Sequence, residues 1–331
     1  MANGKRFPLF LGAAVFFVAA TLLSLMFGAA QLSLAQVWQA MVSGPQDTAG
    51  WIFWYVRLPR TAACLLSGAA LAVAGAVIQG VLANQLASPS IIGVNAGAGL
   101  AVTLCCAFGA LSGWLIAASS FAGALLAVLL VTVTAQKTGA SRTTVILGGV
   151  AVNSFLNALS EAVTNLIPEA GVLSADFRVG GFSSVAYTRL IPAGVLIVLS
   201  LFCCFTLCNE LDVLTLGEET AQGLGLSVKK MRILFLILAA MLAGASVSFA
   251  GLLGFVGLIV PHAVRKLAGN ESHILLPLCA LGGAGFVTFC DLVSRLAFAP
   301  YELPVGILMS VLGGPFFVLL LWKQKGGRNR D

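Results

Sequence analysis

The chain has 331 residues, of which 59% are hydrophobic and 9% charged, with a formal net charge of +6 and a mean hydropathy of +1.02. Such a composition excludes an ordinary soluble domain and predicts an all-α polytopic membrane protein, because only helices or closed barrels satisfy backbone polar groups in lipid and the apolar runs have helical length. The positive charge does not point to nucleic acid: the bases flank apolar runs instead of forming a patch, so they read as topology signals.

In chain order, Lys5 and Arg6 precede an apolar run from Phe7 to Ala30 that is too long for a cleavable signal core and predicts a first span. Trp38, Trp51 and Trp54 follow as an interfacial belt on the outer side. A second span is expected to begin at RLPR, Arg57–Arg60, with Pro59 at the helix start. The stretch from Asn84 to Leu100 is too rich in Gly and Pro for a plain helix and predicts a broken, partly re-entrant turn into a short third span ending near Ala110. Spans four and five are expected from about Trp114 to Ala135 and Val145 to Ile167, and a short surface helix lies within Pro168 to Arg189. Spans six to ten follow at about 190–207, 233–250, a short one broken near Pro261, 275–296 and 305–322. Small-residue faces at Gly68/Gly75 and Gly244/Gly251 suit close helix contact.

This arrangement of about ten transmembrane helices puts thirteen of the eighteen lysines and arginines, with both termini, on the cytoplasmic side. The whole chain, 1–331, reads as one transmembrane domain interrupted by a cytoplasmic loop at 208–232.

Two features carry functional information. The fifth span places Asn153, Asn157, Ser160, Glu161 and Thr164 on one face, which predicts either a pathway lining or a hydrogen-bonded structural seam. The loop CNELDVLTLGEETAQGLGLSVKKMR offers four acids, then three bases, around a segment bracketed by Gly217, Gly223 and Gly225. It reads as one or two short amphipathic helices presented to a partner, with a solvated connector as the plain alternative.

Catalytic and metal-binding patterns are absent. There is no P-loop, no Ser/His/Asp or HExxH arrangement, and the eight cysteines, mostly within apolar runs, lack metal-ligand spacing. Transport without an energy site of its own is the function class left. An ion-coupled secondary transporter using Glu161 and Asp291 is the rival, although no inverted repeat is apparent.

Four blocks, Arg57 to Ala98, Leu216 to Arg232, Gly251 to Gly269 and Asp291 to Leu321, closely resemble the FecCD family of ABC importer permeases, the vitamin B12, haem and iron–siderophore group. Departures are Gln85 in place of the usual turn proline, NESH before Leu275, and Phe177 for a frequent tryptophan. The resemblance implies a homodimer in the bacterial cytoplasmic (inner) membrane. Its partners would be two ATP-binding subunits and an extracytoplasmic substrate-binding protein, with no cofactor in this chain and ATP and Mg in the partner. Residues Leu214, Leu216, Gly217, Glu218, Glu219, Ala221, Leu224, Gly225 and Leu226 would couple to the ATPase. Arg57, Arg60 and Arg295 would be rim charges that dock the binding protein, and the polar face of the fifth helix would line the pathway. Iron–siderophore is the expected cargo, with haem, cobalamin or molybdate as alternatives.

Overall fold

A computed structural model of the chain describes residues 6–28, 32–137, 142–297 and 301–327. Among these residues the structure is helical with no strand, and seven helices are long and apolar enough to cross a membrane. The terminal residues carrying Lys5, Arg328 and Arg330 lie outside the described residues.

Helix α1 (Arg6–Met26) lies on the outside of the bundle, and α2 (Leu34–Ser43) starts with a capping box in which Ser33 and Gln36 exchange bonds. The helical path then runs without interruption from α3 (Thr48–Ile52) through a π-helical turn (Phe53–Arg57) into α4 (Leu58–Leu82). The expected start at Arg57 is therefore corrected. Pro59 has no N–H for the Tyr55 carbonyl, and the π turn, in which Leu58 N–H reaches back to Phe53 O, absorbs that loss without ending the helix.

Helix α4 is the central element, almost wholly buried between α12 (Val228–Ala250) and α14 (Ser272–Leu296). Its run of Ala and Gly makes this possible. A Cβ at Gly68 would sit 2.2 Å from Gly283 O, and one at Gly75 only 1.9 Å from Gly257 O, so the backbones touch with no side chain between them. The second pair divides: Gly244 meets side chains of Phe121 and Ala124, whereas Gly251, at φ +71°, ends α12 in close contact with backbone, where a Cβ would sit 2.5 Å from Phe177 O.

After an αL residue at Ala83 and a run of turns, α5 (Val94–Ala107) packs against α6 (Gly113–Lys137) through the Gly97–Gly123 backbone contact. Helix α7 (Arg142–Leu166) has its large apolar side chains mainly exposed; α8 (Pro168–Val179) and α9 (Tyr187–Thr206) follow. The short helix α13 (Val256–Ala268) is not broken at Pro261, contrary to expectation; the break falls earlier, at the non-helical Gly251–Phe255 segment. Pro261 leaves the Gly257 carbonyl without its helical donor, and Gln79 of α4 donates to that carbonyl at 3.1 Å. Helix α15 (Val305–Gly327) is the last element among the described residues.

Candidate functional site

The loop between α9 and α12 folds as two short helices, α10 (Cys208–Thr215) and α11 (Glu218–Gly223). Leu211, Leu214 and Ala221 point inward and are buried, and Leu211 rests against Gly80 of α4. Gly217 (φ +111°) and Gly225 (φ +83°) occupy the left-handed region that reverses the chain on either side of α11 at low cost. With its inner side anchored, the loop turns Leu216 (61% exposed) and Leu224 (64% exposed) outward beside exposed Glu219, while Leu226 is partly buried.

The charges of this segment do not simply solvate it. Glu218 pairs with Arg232, which is buried at the base of α12, at 3.3 Å. Asp212 accepts from both the backbone N–H (3.0 Å) and the hydroxyl (2.6 Å) of Ser272, the first residue of α14. Asn209 meets His273 at 2.8 Å, and Glu271 accepts Arg6 of α1 at 2.8 Å. Asp212, which sequence reasoning did not single out as a site, thus ties the loop to a long helix; a carboxylate of this kind has no signature without knowledge of the neighbour it reaches.

At the opposite end of α14 lie the three arginines. The expectation that Arg57, Arg60 and Arg295 stand exposed on a rim is corrected: they are 4%, 8% and 4% exposed, and each is occupied within the chain. Arg60 donates to Asp291 at 3.0 Å and to Glu302 at 2.7 Å. Arg295, one turn along the same helix, pairs with Asp291 at 3.0 Å and also donates to Ser24 and to Phe27 O. Arg57 donates to Leu25 O and Met26 O. The physical reason is shared by the last two: the final carbonyls of a helix have no intrahelical donors and carry its negative end, and Arg57 and Arg295 supply the donors for α1 from neighbouring helices. Gly28 leaves room for both, since a Cβ there would approach Arg57 Nη2 to 3.3 Å and Arg295 Nη1 to 3.5 Å.

Arg60 and Glu302 also form part of the wall of a cavity of about 290 Å³. Asp176, Arg189 and Ser248 line it further, between the ends of α8 and α12 and the starts of α9 and α15. Its lining comes from segments far apart in the chain, so no local pattern announced it.

The polar face of α7 divides in two. Asn153 donates to Ser90 O (2.8 Å) and Ile91 O (3.0 Å), satisfying carbonyls of the turns before α5. Ser160 is buried and bonded to Thr103 and to Arg178, the latter at 2.6 Å. These two residues form the structural seam. Asn157 and Glu161 are exposed, and Thr164 is partly buried and bonded to the Glu161 carbonyl. Among the described residues no three His, Cys, Asp or Glu side chains converge as metal ligands would.

The chain resembles known proteins over nearly its whole length. It is 35% identical over 327 residues to the Fe(3+)-citrate import system permease protein YfmD of Bacillus subtilis (strain 168), covering 99% of this chain and 97% of that one. It is 36% identical over 309 residues to the iron(3+)-hydroxamate import system permease protein FhuB of the same organism (92% and 80% covered). It is 37% identical over 275 residues to the vitamin B12 import system permease protein BtuC of Salmonella typhi (82% and 83% covered). Among solved structures, a metal-chelate type ABC transporter in an inward-facing conformation superposes with a TM-score of 0.85 at 29% identity, over 95% of this chain and 98% of that one. A profile of the FecCD transport family matches residues 16–323, and the chain belongs to that family, as a multi-pass membrane protein of transport and not a catalytic enzyme.

Proposed function

We propose that the chain is the permease subunit of a binding-protein-dependent ABC importer that carries an iron–siderophore or related ferric complex. The observation that carries this reading is the α10–α11 loop: a surface loop with two exposed leucines, mounted on buried anchors at one end of a helical bundle. An ATP-binding subunit would take Leu216 and Leu224 into a cleft and contact Glu218 and Glu219. Leu214, Gly217, Ala221, Gly225 and Leu226 would hold the shape of the loop. The similarity to ferric-citrate and hydroxamate permeases supports the cargo class.

Ten membrane passages result if α5, α13 and α15 join the seven candidate spans, with both termini cytoplasmic and the protein in the bacterial inner membrane. The full chain then acts as one permease domain. Helix α7 would face its counterpart in a homodimer, with Asn157, Glu161 and Thr164 toward the shared pathway; its exposure in the single chain supports this. Two ATP-binding subunits would hydrolyse ATP with Mg, the permease itself needing no cofactor. An extracytoplasmic binding protein would deliver cargo to the opposite face. Arg57, Arg60 and Arg295 would serve that docking indirectly, by holding the end of the bundle in shape.

The test is gentle solubilisation from native membranes followed by mass spectrometry. A stoichiometric P-loop ATPase lost on scrambling residues 214–228 supports the reading. A chain that purifies alone and drives ion-coupled uptake in vesicles would reject it.

A further inference from the structure

Motion at the loop needs a route to the far end of the molecule, and the bonds around α14 provide one. Ser272 opens α14, and the preceding Glu271 gives the helix no side-chain cap. The missing cap comes from another element: the Asp212 carboxylate receives Ser272 N–H at 3.0 Å and Ser272 Oγ–H at 2.6 Å. A carboxylate on a helix N-terminus is a charge-assisted contact favoured by the helix dipole. Asn209, three residues earlier on α10, adds the bond to His273. The loop therefore grips α14 by its first turn.

From Ser272 to Asp291 the helix rises about 28 Å at 1.5 Å per residue. Between these ends α14 lies on α4, and at Gly68 and Gly283 the backbones are in contact, so no compressible side-chain layer separates the two helices at that point. At its end Asp291 holds Arg60 of α4, and Arg60 holds Glu302 in the wall of the cavity. Contacts are continuous from a surface loop to the lining of a polar cavity at the other end of the bundle.

We infer that Asp212 is a positioning residue that transmits displacement of the α10–α11 loop into α14, and through Arg60 and Glu302 into the wall of the far cavity. This rests on the proposed role of the loop in meeting an ATP-hydrolysing subunit. Neither Asp212 nor Ser272 touches the partner or the cargo in this scheme; they connect the two.

The experiment uses the complex of the chain with its co-purified ATPase, reconstituted in lipid. Peptide-resolved hydrogen–deuterium exchange is compared with and without ATP trapped by vanadate. In the unaltered complex, nucleotide changes exchange both in the loop (208–225) and at the far end (291–304). Asp212→Ala is expected to keep the loop response and to reduce the far response at least fivefold, and Asp212→Glu to restore it, a rescue that a merely destabilised fold would not show. Radiolabelled ferric citrate moved per ATP hydrolysed falls in parallel. A far response undiminished in Asp212→Ala, or missing from the unaltered complex whose loop responds, overturns the inference. If Asp212→Ala yields no folded complex, Asp212→Asn with Ser272→Ala carries the same comparison. A loop that ignores nucleotide in the unaltered complex instead overturns the coupling role itself, which separates the two failures.

Discussion

Asp291 Oδ1 lies 3.0 Å from Arg60 Nη2 across the α4–α14 interface, with both side chains almost fully withdrawn from solvent. Because Arg295 shares the same carboxylate, removing Asp291 takes the buried counter-charge from two guanidinium groups at once, leaving Arg60 with the partly exposed Glu302 and Arg295 with neutral acceptors such as Ser24 and Phe27 O. Asp291→Ala is expected to cost about 3–5 kcal/mol, the range for breaking a buried pair on one side, and to lower the unfolding midpoint in detergent markedly. An unchanged midpoint would show that the carboxylate does not hold this end.

Charge reversal at Arg57 and Arg60 gives a second outcome that separates burial from surface docking. The double change Arg57→Glu with Arg60→Glu places carboxylates against the carbonyl end of α1 and against Asp291, and the folded yield should fall at every salt concentration. Were the two arginines rim charges, yield would hold and binding-protein affinity would drop in a manner relieved by salt. Fluorescence-detected gel filtration with a binding titration distinguishes the two.

The glycine contacts predict a steep penalty. Gly75→Ala puts a methyl group 1.9 Å from Gly257 O, so α4 and α13 must part. Overpacking of this kind costs about 3 kcal/mol, at the upper end of its usual range. Gly223→Ala, in the loop, meets nothing within 4 Å and serves as the control. Equal melting temperatures for the two variants would contradict the packing described.

At the loop surface the expectation is reversed, with little effect on stability and a large one on association. Leu216→Asp and Leu224→Asp alter exposed side chains, so stability should stay within about 0.5 kcal/mol. Retention of the ATP-binding subunit during purification should drop at least tenfold. Full retention in both variants would remove these leucines from the docking surface.

Cys208 offers a pH-dependent reporter of the same loop. Burial, reinforced by the Asp212 and Glu210 carboxylates, pushes its thiol up to about 11. The thiolate is the reactive form, so modification by maleimide at pH 7.5 should be slow and should rise about tenfold per pH unit toward that value. Peptide-resolved mass spectrometry follows this site apart from the other cysteines. Rapid labelling at neutral pH would show that α10 does not seal the thiol.

Much of this protein was legible in the sequence because its signals are local. Apolar runs of spanning length located the seven long helices, since a bilayer demands about twenty apolar residues whatever the neighbours are. Gly217 and Gly225 marked the turns of the loop because a positive φ is costly for other residues. The small faces at Gly68 and Gly75 marked close contact for the same kind of local reason. Tertiary structure alone decided where charged side chains end up. Arg57, Arg60 and Arg295 look like surface charges in one dimension and are buried because α1, left with unsatisfied terminal carbonyls, and Asp291 lie beside them in space. Pro261 looks like a helix breaker and is not, because Gln79, 182 positions earlier, serves the carbonyl that the proline frees. Asn153 and Ser160 look like their stripe-mates on α7, yet among the described residues their side chains hydrogen-bond to the turns before α5, to α5 and to α8, whereas Thr164 bonds back to its own helix. A residue's intrinsic preference is written in its own side chain, whereas the partner that satisfies or buries it comes from a distant part of the chain that only the folded arrangement brings near.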